Sequence, residues 1–242
     1  MKIIRLTLVA AAIICFASCQ TIPTYNSPQP VIIPHIVILG SSSASGDGAT
    51  PIDSAWAFRL QSTINQNGTK ATFTNLAVPG YVTFQAMPTG YNYASRPAPD
   101  TAHNLTKALS LHPTLVMISF PTNDIADNYT DDEIMRNFAV MAHQLDSAKV
   151  QYILFGTQPR NFTDAAQRMR LKKLNDKIIA AYGAHVNDIL APLSTSTYDI
   201  NPTYSAGDGI HVNNSGHALI VTKVLQQPIF IQVTGVQTSI PK

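Results

Sequence analysis

The 242-residue chain is short of charge: Asp, Glu, Lys and Arg make up 12% of it, about half the usual share of roughly 25%. Sixteen basic residues stand against fourteen acidic ones. Removal of residues 1–18 would take Lys2 and Arg5 and leave fourteen of each. A neutral chain has no electrostatic reason to hold nucleic acid. Cysteine is scarcer still, with Cys15 and Cys19 the only two. A chain cut before Cys19 keeps one, which excludes an internal disulfide and the paired-cysteine zinc motifs. Glu133 is the single glutamate, and no aspartate pair signals the two opposed carboxylates of a glycosidase. No motif calls for a cofactor or a metal. His217 lies six residues after His211, a spacing looser than the usual zinc pairs.

Long apolar runs are absent too. Residues 6–16 (LTLVAAAIICF) are too few to span a bilayer and follow Lys2 and Arg5, the pattern of a processing signal. Residues 1–18 therefore read as a signal peptide outside the fold. The run closes on Phe16-Ala17-Ser18-Cys19, which resembles the lipobox of bacterial lipoproteins, and the resemblance implies lipid modification of Cys19. Ordinary secretion with cleavage after a small residue is the alternative. Residues 19–34 carry four prolines after Cys19 and read as an extended tether between anchor and body. Residues 35–242 are long enough for one domain with a sizeable core.

Within the body, residues 35–39 (HIVIL), 115–120 (LVMISF) and 150–155 (VQYILF) are short continuous apolar runs, the mark of strands buried on both faces. Residues 71–77 and 185–189 add two weaker strands. Helices alternate with them. One opens at Thr50-Pro51 with Asp53 placed as in a capping box and carries Ile52, Ala55, Trp56, Leu60 and Ile64 on its apolar face. Others run from near Thr101 to Leu111, from the Thr130/Glu133 capping box through Ile134, Phe138, Met141 and Leu145, from a Thr163 cap through Leu171, Leu174, Ile178 and Tyr182, and onward from Asn214. Residues 229–233 have a strand-like composition and no assigned place. Such alternation predicts right-handed crossovers, a central parallel sheet of five strands, and helices on both faces. Ligands bind such sheets beyond the carboxyl ends of the strands.

Four polar pieces fall on that edge: Gly40-Ser41-Ser42-Ser43-Ala44-Ser45-Gly46, Asn75 to Gly80 (NLAVPG), Pro121-Thr122-Asn123-Asp124, and Asp208-Gly209-Ile210-His211. Acyl transfer from an ester needs a nucleophile, a base, an orienter for the base, and donors where the carbonyl oxygen turns negative. The serine run supplies a hydroxyl. Asp208 and His211, three apart, supply a carboxylate able to reach one ring nitrogen while the other faces the hydroxyl. Asn123 supplies an amide and Gly80 a backbone N–H. Asp124 reads as a turn or helix cap, His217 as a capping or packing residue, and Trp56 as core.

The four pieces, in this order at strand ends, resemble the blocks of the SGNH (GDSL-like) hydrolases. The resemblance covers residue 40 to about 217, nearly the whole body. It implies a three-layer α/β/α sandwich of flavodoxin-like type, a Ser42–His211–Asp208 triad, and an oxyanion hole made by Ser42, Gly80 and Asn123. Two positions depart from the pattern: Ser41 stands where an aspartate is usual, and Pro121 where the third block begins with glycine. The second gives up a backbone N–H.

Residues 81–104 exceed what a simple crossover needs, and long loops on an active edge bind or cover substrate. Tyr81, Tyr91 and Tyr93 there, with Tyr204 approaching from the Asp208 side, are candidates to contact a sugar; packing within the loop is the competing role. The leading expectation is an envelope esterase removing acetyl or other short acyl groups from a carbohydrate or small ester. A lipid-ester or thioester hydrolase with the same residues is the nearest rival. A catalytically idle carbohydrate-binding module is a third reading, motivated by the two departures.

Overall fold

The computed structural model describes residues 33–66, 68 and 70–236. The signal peptide, Cys19 and most of the tether lie outside the described residues. The elements run β1 (His35–Gly40), α1 (Ser42–Ser45), α2 (Trp56–Gln66), β2 (Thr72–Asn75), α3 (Leu105–Ser110), β3 (Leu115–Ser119), α4 (Thr122–Ala126), α5 (Asp131–Ser147), β4 (Gln151–Phe155), α6 (Ala165–Tyr182), β5 (Val186–Asn187), α7 (Leu190–Leu193), α8 (Asn214–Leu225) and α9 (Pro228–Thr234). The strands form one sheet in the order β2-β1-β3-β4-β5, with every neighbouring pair parallel. This is the flavodoxin-like order, in which the chain winds first one way and then the other from β1, leaving a crevice at β1/β3.

The continuous apolar runs are explained by what they meet. Side chains alternate across a strand, so Ile36, Ile38, Leu115, Met117, Ile153 and Phe155 enter one core with Trp56, Leu60 and Ile64 of α2, Val224 of α8 and Phe230 of α9. Val37, Leu39, Val116, Ile118 and Leu154 enter a second core with Leu105 of α3, Phe138 and Met141 of α5, and Leu171 and Leu174 of α6. Both faces are dry, so neither strand parity can be polar. The capping box closes as its residues predict: the Thr130 hydroxyl accepts from Glu133 N–H, and the Glu133 carboxylate accepts from Thr130 N–H at 2.7 Å.

Three local readings are corrected. The helix expected from Thr50-Pro51 begins at Trp56, preceded by a 3-10 turn at Ile52–Ser54, and Ile52 is 54% exposed rather than on the buried face. Its start is set by a distant residue, since the Trp56 N–H donates to His217 Nδ1 at 3.2 Å. The cap of α6 is Asp164 rather than Thr163. Residues 229–233 are helical, within α9, because Gln227 caps the turn, Pro228 occupies its first position, and Ile229 and Phe230 are buried.

Candidate active site

β1 ends in Gly40, where a side chain would collide: a Cβ there would stand 2.6 Å from the Ala44 Cβ and 3.1 Å from the Ser119 carbonyl. Its absence lets the chain turn tightly off the sheet into α1, whose first residue is Ser42. The Ser42 Oγ lies 2.9 Å from His211 Nε2, and His211 Nδ1 lies 2.6 Å from Asp208 Oδ2. The tautomer that satisfies both contacts carries its proton on Nδ1, donates it to the carboxylate and accepts from the serine hydroxyl. Asp208 is itself fixed, since its Oδ1 accepts the backbone N–H groups of Ile210 and His211 at 2.9 and 2.8 Å. Partial burial pushes the Asp208 pKa up, but those two N–H groups and the His211 ring outweigh it and hold the carboxyl at about 2. The serine turn and the histidine loop are pressed together at Gly48, whose φ of +90° and contact with the Val212 carbonyl leave no room for a Cβ.

Gly80 sits in the turn after β2 with φ +81°, a conformation that glycine adopts without strain. Asn123 is carried by the first turn of α4, directly after β3. One Asn123 amide proton goes to the Tyr81 carbonyl at 3.1 Å, which leaves the second free to point elsewhere. Asn123 and Ser42 both line a small pit, about 30 Å³, at the ends of β1, β3 and β4. Its far wall is braced: Gln158 N–H donates to Thr122 Oγ1 at 2.9 Å, and Gln158 Nε2 donates to the Ile210 carbonyl at 3.1 Å. The residues singled out from sequence as nucleophile, base, orienter and amide donor are thus neighbours. Ser41, in the aspartate's place, also lines the pit, and Pro121 directly precedes α4.

Asp124 is not the local cap its type suggested. It is fully buried, and its carboxyl accepts the Thr83 backbone N–H at 3.0 Å and the Thr83 hydroxyl at 2.5 Å. Asn137 of α5 donates to the same hydroxyl at 2.8 Å. Residues 123 and 124 thereby grip the loop after Gly80 at residues 81 and 83. Burial raises the Asp124 pKa to about 7 against the lowering effect of the Thr83 donors. A carboxyl whose folded pKa lies above its unfolded value contributes most below about pH 4 and loses that contribution as pH rises through about 7. Asp124→Asn keeps an acceptor for Thr83 and cannot ionise. Its melting temperature relative to the unmodified protein is therefore expected to rise between pH 5 and 8, by roughly 5 °C or more. Paired thermal melts check this, and a difference that does not change with pH would refute it.

Two further groups were illegible in the sequence. Asp47 Oδ2 stands 4.0 Å from His211 Nε2, a second carboxylate on the same ring. His217, fully buried in α8, accepts from Trp56 N–H and donates to the Asp47 carbonyl at 3.1 Å. Of the two roles read for it from the sequence, it packs rather than caps, and it ties α2 to the turn after Ser42. Burial lowers its pKa to about 4, so the ring is neutral at ordinary pH. Only the partner across the fold identifies either role.

The tyrosines are largely engaged in packing. Tyr81 donates to Asp100 at 2.5 Å, and Tyr91 donates to Asn137 at 3.3 Å. Tyr93 packs on Phe84 at 5.6 Å beneath Arg136, and Tyr204 is half-buried against the core below α8. Residues 81–104 are held by a small cluster of Val82, Phe84 and Tyr129. Arg96 lies over the Tyr129 ring at 4.1 Å and makes a two-point ion pair with Glu133. Among the described residues, no group of three or more His, Cys, Asp or Glu is placed to hold a metal.

A doubly wound parallel sheet with a hydrogen-bonded serine, histidine and aspartate at its carboxyl edge defines an α/β protein of the serine-hydrolase class. The chain belongs to the GDSL-like Lipase/Acylhydrolase family, whose model matches residues 38–219. No curated protein matches it significantly in sequence. Among solved structures it is similar to the psychrotrophic esterase EstA from Pseudoalteromonas, with TM-score 0.59, 15% identity, and 80% of this chain and 95% of that one covered. A GDSL-like lipase from Bacteroides thetaiotaomicron gives 0.57 and 20%, covering 79% and 86%. A two-domain esterase active on acetylated mannans gives 0.57 and 17%, covering 87% of this chain and 52% of that one. At these identities the likeness bears on the fold.

Proposed function

We propose that the protein is a serine esterase that removes acetyl or similarly short acyl groups, with Ser42 as nucleophile, His211 as base and Asp208 as orienter. The observation that carries this reading is the unbroken hydrogen-bond series from Ser42 through His211 to Asp208 beside a pit shared with Asn123. In the proposed reaction the Ser42 oxygen attacks the ester carbon while His211 Nε2 takes its proton. The carbonyl oxygen becomes negative against the N–H groups of Ser42 and Gly80 and the Asn123 amide. As the bond to the alcohol oxygen breaks, His211 returns the proton to that oxygen and the acyl group stays on Ser42. Water, deprotonated by the same ring, then releases the acid.

Chain length follows from the pit. The small pit lined by Ser42, Phe120, Asn123, Gln158 and Ile210 supports the reading that a short acyl group sits there. Turnover of nitrophenyl esters is expected to fall from acetate to butyrate by about tenfold and further at octanoate, checked by kcat/KM across the series. A maximum at octanoate or beyond would favour the lipid-ester or thioester rival. The alcohol part is proposed to be a carbohydrate, on the support of the exposed Thr89, Asn92 and Ser95 in the aromatic loop and the mannan-active esterase of like fold.

We further propose an extracytoplasmic protein tethered by lipid on Cys19, on the lipobox resemblance; no helix among the described residues is long and apolar enough to cross a membrane. Full-length protein is expected in the membrane fraction and Cys19→Ala protein in the soluble fraction. Equal partitioning of the two would remove the anchor.

A further inference from the structure

Arg160 lies on the loop after β4, and both ends of its stretch are pinned to the site. Gln158 N–H is bonded to Thr122 of α4, and Asn161 N–H donates to the Gly209 carbonyl at 2.8 Å. The guanidinium therefore stands between the Asn123 side of the pit and the Asp208–His211 loop. It donates from Nη1 to Asn123 Oδ1 at 3.3 Å and rests on the Phe162 ring at 5.2 Å. Among the described residues Arg96, Arg168, Arg170, Lys172 and Lys177 each face a carboxylate within ion-pair distance. Arg160 faces none, as is true of Arg59, Lys70, Lys107, Arg136, Lys149, Lys173 and Lys223. What sets it apart is its contact with Asn123, beyond which its side chain makes no hydrogen bond among the described residues. A guanidinium has five N–H donors in a planar fork shaped for carboxylate or phosphate. Four of those donors have no hydrogen-bond partner among the described residues, on a side chain that touches Asn123.

We propose that Arg160 selects esters whose alcohol part carries an anionic oxygen group, a carboxylate or a phosphate; this rests on the esterase reading above. The charge is placed on the alcohol rather than the acyl part because Arg160 does not line the pit proposed to hold the acyl group. The other charges at the mouth are acidic, Asp208 and Asp47, and both stand on His211. They repel an anion from the histidine side and leave the Arg160 side as the one that accepts it.

The test compares aryl acetates that differ only in the charge on the alcohol: 3-acetoxybenzoate, its neutral carboxamide, and 3-acetoxyphenyl phosphate, each corrected for spontaneous hydrolysis. With the full-length protein, kcat/KM for at least one anionic ester is expected to exceed that for the carboxamide by on the order of tenfold, and the better of the two identifies the group. Arg160→Gln is expected to slow all three esters, since Asn123 loses a partner, and to bring the anionic-to-neutral ratio to about one. Arg160→Lys restores part of the ratio. The proposal is overturned if the unmodified protein shows no anionic preference, or if Arg160→Gln lowers all three rates by one common factor, which would make Arg160 only a positioning residue for Asn123. Turnover of the carboxamide reports on the esterase reading separately. If none of the esters is cleaved, that reading fails first and takes this one with it.

Discussion

Ser42→Ala is expected to reduce ester hydrolysis by about 10⁴-fold or more, to the level that binding and the oxyanion donors alone supply. The substitution removes one atom. Its only side-chain hydrogen-bond partner among the described residues is His211, so the fold keeps every other contact and the melting temperature is expected to move by no more than a few degrees. The same variant should no longer react with a fluorophosphonate probe, whose adduct on the unmodified protein maps to Ser42. His211→Ala is expected to weaken labelling and lower turnover by a comparable factor. The double variant should be little worse than either single one, because hydroxyl and imidazole act as a unit. Turnover retained within tenfold after loss of the hydroxyl would end the proposed mechanism. An unlabelled protein that still binds oligosaccharide would instead favour the idle carbohydrate-binding module.

Asp208→Asn is expected to cost about 10⁴ in kcat with the structure almost unchanged. The remaining oxygen can still accept the Ile210 and His211 backbone N–H groups, so the loop keeps its shape. What changes is the proton on the ring. An amide N–H directed at His211 Nδ1 stabilises the opposite tautomer, which presents an N–H to the Ser42 hydroxyl in place of a lone pair. The base is then present, correctly placed and wrongly protonated. Because the amide has no carboxylate to stabilise the imidazolium, kcat should fall far more than KM rises. Ring proton signals in NMR spectra at low temperature distinguish the two tautomers. An Asp208→Asn enzyme within tenfold of the unmodified one would show that Asp208 does not orient this histidine.

Some of the site was legible because its determinants are local. Gly40, Gly80 and the Asp208–His211 spacing encode turns, and residues 35–39 or 115–120 are apolar at every position because helices cover both sides of the sheet. The groups that were missed are those whose partners are remote. Asp124 looks like a cap until Thr83, forty-one residues earlier, appears against it. His217 looks like a helix-start residue until Trp56 and Asp47 appear on its two nitrogens. Arg160 belongs to none of the four blocks. The start of α2 was misjudged for the same reason: Thr50, Pro51 and Asp53 make an acceptable local cap, but a buried ring nitrogen satisfies the N–H of Trp56 six residues after Thr50.

The order of strands and helices, the two buried faces, the capping box at Thr130 and the candidate serine, histidine, aspartate and asparagine were set by the chain's own residues. The elements and the capping box depend on side-chain periodicity or short-range bonding, which act over a few residues. The choice of Ser42 within the serine run rests on the resemblance of the four pieces to the SGNH blocks. The size of the pit, the grip of Asp124 on the aromatic loop and the place of Arg160 beside Asn123 were decided only when parallel pairing aligned the ends of β1, β3 and β4. Hydrogen bonds and collisions between segments separated by scores of residues exist only after that alignment, so no local pattern carries them.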